Sequence, residues 1–172
     1  VPDLAAGRLF IDISDTNERR SRHAFHHELW HMADFAIHGG MDNQGTDDGR
    51  RGVFIDLDAP DTEWTCHNPM GFRYGDEYGR VGGQHMRTAG VAELSTAPYE
   101  SFLNAYATSS LAEDKAEVWA CLVCYPLALT KSVALKAKTQ ILRNRVYSLC
   151  PRLDAEWWGL ATWHSSLLCK EW

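Results

Sequence analysis

Two kinds of hydrophobic pattern divide this chain. Gly7 to Ile13 (GRLFIDI) alternates apolar, β-branched and polar positions closely enough to predict a strand, which ends at the polar cluster Ser14-Asp15-Thr16-Asn17. The same cluster can cap a helix, because short polar side chains accept the unsatisfied amides of a first turn. From Glu18 to Ile37 the period lengthens to that of a helix. Phe25, Leu29, Met32 and Ala36 fall near one apolar face, His27 and His31 on a neighbouring face, and Gly39-Gly40 form the stop. Residues 41–90 lose this order: glycine, aspartate, proline and aromatic residues dominate, and Gly52 to Leu57 (GVFIDL) is the one further strand predicted there. An irregular stretch of that length inside a compact domain is usually functional, so it is the expected cleft wall and substrate-loop region.

The last part of the chain is predicted helical. Pro98 to Tyr106 is amphipathic, and Leu111 to Tyr125 is strongly apolar and stops near Pro126. Lys131 to Leu149 sets Val133, Leu135, Ala137, Ile141, Leu142 and Val146 against five basic residues, and Leu153 to Leu168 carries Trp157, Trp158 and Trp163. With no internal repeat and no linker, the pattern predicts one α+β domain over residues 1–172, mostly helical with a small sheet, its helices packed around the segment 18–37.

Composition narrows the partners. At 172 residues and 45% hydrophobic content the chain can bury a substantial core, and it is too short to expect two domains. A formal net charge of −6 argues against nucleic acid or an anionic membrane, both of which select basic surfaces. The locally basic stretch Lys131 to Arg145 is expected to be a solvated helix face. The most apolar stretch, Val118 to Leu129, is broken by Pro126 and is shorter than the roughly 20 residues a spanning helix needs. The sequence as given does not open with a charged start followed by an apolar core, so no secretory signal is expected in it. Five cysteines at irregular spacings do not outline a disulfide scaffold, although one or two bridges stay open. Cys121 and Cys124, inside an apolar helix and without a second such pair, are expected to be core thiols.

The candidate chemistry begins at His27-Glu28-Leu29-Trp30-His31. Positions four apart share a helical face, so both imidazoles can reach one tetrahedral zinc ion. Glu28 projects beside that ion, where it can take a proton from zinc-bound water and pass it to a leaving amine. Chance produces such a motif about 0.02 times in a chain of this composition; the competing reading is a solvated amphipathic helix with incidental histidines. A catalytic zinc also needs a third protein ligand and an open fourth position. Ala112-Glu113-Asp114-Lys115-Ala116-Glu117 supplies two carboxylates four apart, with Glu113 placed to bind the ion and Glu117 to hold a ligating histidine from behind. Tyr106, seven residues before Glu113, can donate to a developing oxyanion.

With both blocks in view, the chain resembles the gluzincin peptidases, and among them the catalytic domain of anthrax lethal factor and the bacterial Pro-Pro endopeptidases. His27 to Asp34 looks like that family's HExxHxxD, and Tyr106 to Glu117 is similar to its Y-x6-E-x3-E. The resemblance implies a zincin-like fold with an active-site helix and one Zn2+ per chain, held by His27, His31 and Glu113. It implies Glu28 as general base, Tyr106 as oxyanion donor, and Asp34 and Glu117 in supporting positions. The implied activity is zinc-dependent endopeptidase, with a protein or peptide as substrate and an exposed sheet edge to receive it extended. A secreted or delivered protein is favoured over a resident cytoplasmic one. The match covers about 20 residues, and the 81 residues between His31 and Glu113 look longer than the family's spacer.

Other readings remain beside it. Gly45 to Gly52 resembles the GTxDxxYG segment of aspzincins, which would make Asp48 the third ligand, but Arg51 stands where that family has tyrosine. A metzincin would need a ligand at position 37, which is Ile37; His38 is expected instead to sit favourably at a helix C-terminus. His23, one turn before His27, is expected behind the site or in solvent. His67, His85 and His164 are expected to be structural, with His85 the candidate for a second oxyanion donor. A degenerate zincin that binds a partner protein, and a purely helical domain without metal, are the competing classes.

Overall fold

The computed structural model describes residues 2–3, 7–10, 17–37, 60–75 and 100–158. Helix α1 spans Glu18–Ile37, the bounds expected from its pattern. It starts because Asn17 caps it: Oδ1 accepts from the Arg20 amide at 3.0 Å, and the Asn17 carbonyl accepts from Ser21 N at 2.9 Å. Ahead of α1, β1 (Pro2–Asp3) pairs antiparallel with β2 (Arg8–Leu9), Pro2 opposite Leu9 and Asp3 opposite Arg8. Of the predicted strand Gly7 to Ile13, residues 8–9 are therefore paired, while 11–13 and the second predicted strand, 52–57, lie outside the described residues. The described residues are mostly helical, and their strand content is this two-residue pairing, short of the small sheet expected.

The later helices each carry a side-chain cap. Helix α2 (Thr62–Thr65) is capped by Asp61, which accepts from Trp64 N at 3.2 Å. Helix α3 (Leu111–Cys124) begins where Ser110 Oγ accepts from Glu113 N at 3.2 Å, and it ends before Pro126, which has no amide to continue it. A 3-10 segment, Pro126–Lys131, leads into α4 (Val133–Leu149), whose cap is Ser132. Residues 155–158 add a last helical turn. The amphipathic helix expected over Pro98 to Tyr106 does not form across its described part. Residues 100–105 are turns and bends that run into a 3-10 turn at Tyr106–Thr108, with Asn104 turned back to accept from Ala107 N.

Helix α1 packs chiefly on α3, and the buried face is not the one the apolar periodicity marks. Phe25 and Ala36 are exposed and Leu29 and Met32 are half-buried, whereas His27, Trp30, His31 and Asp34 are buried. Those four recur at i, i+3, i+4 and i+7, the spacing of one helical stripe. Trp30 anchors the stripe in a core shared with Trp64, Val118, Trp119, Leu122, Leu142 and Trp158, with the Trp30 and Trp119 ring centroids 5.1 Å apart. Cys121 is buried within it, and Cys124 is buried further along the same helix. Among the described residues no helix is long and apolar enough to cross a membrane.

Helix α3 is buried on nearly every side although it carries four charges in its first two turns, and each charge has a partner. Lys115, 1% exposed, lies 3.3 Å from Asp34 on α1 and 3.2 Å from Asp61. Asp61 in turn receives both arms of the Arg145 guanidinium, at 2.7 and 3.0 Å. Asp114 Oδ2 accepts from Trp64 Nε1, the Tyr74 hydroxyl and Lys138 Nζ at 2.8, 2.8 and 2.7 Å. The basic stretch of α4 is thus only partly a solvated face: Lys138 turns to the Asp114 carboxylate of α3, and Arg145 to Asp61 and Glu63 at the start of α2. These pairs lock α1, α3 and α4 together and set the register in which Glu113 and Glu117 face α1.

Candidate metal centre

The remaining two charges of α3 meet the histidines of α1. Glu113 Oε2 lies 2.8 Å from His27 Nε2 and 3.6 Å from His31 Nε2, and the two Nε2 atoms are 3.2 Å apart. Three ligand atoms of a tetrahedral zinc, each at about 2.0–2.1 Å, stand about 3.3 Å from one another. The observed triangle has that size. Both imidazoles are buried, and Glu113 is half-buried with its Oε2 out of contact with solvent.

Charge and hydrogen bonding in the triangle also suit a cation. Despite the 2.8 Å separation, Glu113 Oε2 has no aligned hydrogen bond, and neither has His27 Nδ1, which lies 2.8 Å from Glu117 Oε1. These are contacts between charges rather than directed hydrogen bonds. Burial works against charge on His27, yet Glu113 and Glu117 outweigh it and hold the imidazolium up to about 10. Burial likewise opposes charge on Glu113, but His27 and His31 hold its carboxyl down to about 2. Glu117 is lowered by His23 and His27 against the same opposition. Two carboxylates thus keep a positive charge at His27, a place a metal cation can take over by displacing the proton.

The groups around the triangle fall into place by element. Glu117, one turn after Glu113, sits behind His27, and its Oε2 accepts from Asn104 Nδ2. His23, one turn before His27, lies 3.2 and 3.1 Å from the two Glu117 oxygens. His23, His27 and Glu117 form a second group close enough to hold an ion, beside His27, His31 and Glu113. Tyr106 stacks obliquely near His27, ring centroids 5.8 Å apart, and its hydroxyl bonds to Glu113. Burial pushes that phenol well above its ordinary range, as do the nearby Glu113, Glu117 and Glu28 carboxylates. Glu28 is half-buried on the rim and close enough for its charge to act on Tyr106.

Six of the seven residues expected at the site therefore gather at one point of the α1–α3 contact. The seventh, Asp34, is fully buried and faces Lys115, supporting the site by tying α1 to α3. Asn104 and Lys115 are the contributors the sequence pattern did not single out. Asn104 stands two residues before Tyr106, at no offset the motif marks. His23, expected either behind the site or in solvent, lies behind it, and the clue is that it continues the four-residue spacing of His27 and His31. Asp48, His38, His85 and His164 lie outside the described residues, and His67 belongs to neither possible metal group. No family model, curated protein or solved structure matches this chain.

Proposed function

We propose that the chain is a zinc-dependent endopeptidase of gluzincin type with a zincin-like active-site helix, its ion held by His27, His31 and Glu113. The observation that carries this reading is the convergence of those three ligand atoms, 2.8 to 3.6 Å apart, although 81 residues separate His31 from Glu113 in sequence. A zinc ion bound there supplies Lewis-acid polarisation of a peptide carbonyl and brings the pKa of a coordinated water to about 7. The chain's own residues supply the rest. Glu28 accepts the proton of the attacking water and returns it to the departing amine, the acid–base role its place beside His27 allows. Tyr106 turns its hydroxyl from Glu113 to the oxyanion, a short movement about a side chain already at the site. Glu117 keeps the His27 ring oriented. The substrate is a protein or peptide, a partner that the net charge of −6 favours over nucleic acid.

The test is cleavage of a mixed peptide library by zinc-loaded chain and by Glu28→Gln. Cleavage by the wild type and none by the variant, with zinc content equal in both, supports the peptidase. Equal zinc and no cleavage by either favours a partner-binding zincin that uses the ion for structure.

A further inference from the structure

The histidine spacing of α1 extends one turn before the motif. His23, His27 and His31 recur every fourth residue, so all three imidazoles lie on the side of α1 that meets α3. His23 Nε2 contacts both oxygens of Glu117, at 3.2 and 3.1 Å. A carboxylate only accepts, so Nε2 is the donor. The His23 ring also stacks on Tyr125, the residue that ends α3, with centroids 6.2 Å apart and 15° between planes. Its side chain is 19% exposed, which shields the contact from water.

We infer that His23 is a positioning residue for the metal centre, fixing the Glu117 carboxylate that in turn sets the orientation and tautomer of His27. This rests on reading His27, His31 and Glu113 as the ligands. A neutral imidazole offers one lone pair when its other nitrogen carries the proton. His27 Nε2 faces His31 and Glu113, so its proton belongs on Nδ1, which needs a fixed acceptor. The carboxylate that faces Nδ1 is Glu117, whose Oε1 lies 2.8 Å away, and how well that contact aligns depends on how Glu117 is held. The terminal torsion of a glutamate is broad, and Asn104 holds only Oε2. His23 touches both oxygens and removes the remaining freedom. The other use of these atoms, a second ion on His23, His27 Nδ1 and Glu117, would require His27 to ligate through both nitrogens, which a neutral ring cannot do.

The experiment is zinc affinity and stoichiometry of the 172-residue chain, by competition with a chromogenic chelator. The variants are His23→Phe, which keeps a ring on Tyr125 but has no donor, His23→Gln, which restores an N–H donor, and Glu117→Gln alone and combined with His23→Phe. The wild type is expected to take one zinc, and His23→Phe one zinc with affinity about tenfold weaker, the lower end for an outer partner of a metal ligand. His23→Gln should recover most of that loss. On the Glu117→Gln background, His23→Phe should change affinity less than about twofold, since the group it orients has lost its charge. Unchanged affinity in His23→Phe, or a full tenfold loss on the Glu117→Gln background, overturns the inference. So does a wild type with two zincs that loses one in His23→Phe. Glu113→Ala in the same assay separates the two levels. If it abolishes binding while His23→Phe is silent, only this inference falls; if it leaves binding intact, or the wild type takes no zinc, the ligand reading falls with it.

Discussion

Replacing Lys115 with methionine removes the cation that faces Asp34 across the α1–α3 contact while keeping a long apolar stem in place. The pair is 3.3 Å apart with side chains 1% and 0% exposed. At that separation and an effective dielectric of about 20, Coulomb's law gives roughly 5 kcal/mol of attraction. Asp61 keeps Arg145 and loses less, so the cost falls mainly on Asp34, left in a site built around a positive charge. Breaking a buried pair from one side costs about 3–5 kcal/mol, a large part of the roughly 5–15 kcal/mol that holds a domain. For a chain of this size that is a fall in melting temperature of about 6–20 °C. The assay is urea and thermal unfolding followed by circular dichroism for Lys115→Met, Asp34→Asn and the double variant. The double variant should recover at least about 2 kcal/mol relative to the sum of the singles, because a neutral amide in place of the Asp34 carboxylate no longer needs the cation. A loss below about 1 kcal/mol in Lys115→Met, or simple additivity in the double variant, would refute the claim that this pair ties α1 to α3.

Asp61 links the same network to pH. Burial opposes its ionisation, but Arg145 and Lys115 hold its carboxyl down to about 2 from an ordinary 3.8. A lowered folded-state pKa stabilises above the unfolded value, so this contribution is present above about pH 4 and is lost as pH falls toward about 2. After solvent screening it amounts to about 1–2 kcal/mol. Asp61→Asn should therefore be less stable than wild type at neutral pH in chemical denaturation, and the gap should shrink near pH ~2.5; a gap that stays constant contradicts the linkage. Tyr106→Phe should keep zinc and lower kcat by about 10²–10³, the loss expected for one oxyanion donor. Its turnover on a cleaved peptide checks this, and an unchanged kcat would remove Tyr106 from the chemistry.

Local signals make much of this molecule legible in its sequence. The caps at Asn17, Ser110 and Ser132 are short polar residues just ahead of helical patterns, and α1 has the bounds its pattern predicts. The site is legible as spacing: two histidines four apart, two glutamates four apart, and a tyrosine seven before the first of these. What is not legible depends on which surface a helix buries. Apolar periodicity marks the face of Phe25 and Ala36, but α1 buries His27, His31 and Asp34, because α3 offers carboxylates and an ammonium there. A stripe that is half polar by necessity gives a misleading amphipathic signal, and this happens where a site is built. The same cause hides the inward turn of Lys138 and Arg145, whose partners on α3 and ahead of α2 are distant in sequence. Residues 100–105 form turns instead of the expected helix, and that conformation brings Asn104 behind Glu117.

The most direct test of the metal centre is zinc content by mass spectrometry on the wild type beside Glu113→Ala, after each has been offered zinc and desalted. One zinc per chain in the wild type and none in the variant is the predicted result. Zinc retained by the variant would move the third ligand elsewhere, with Asp48 next to be tested, and a wild type that takes up none would contradict the account at its centre.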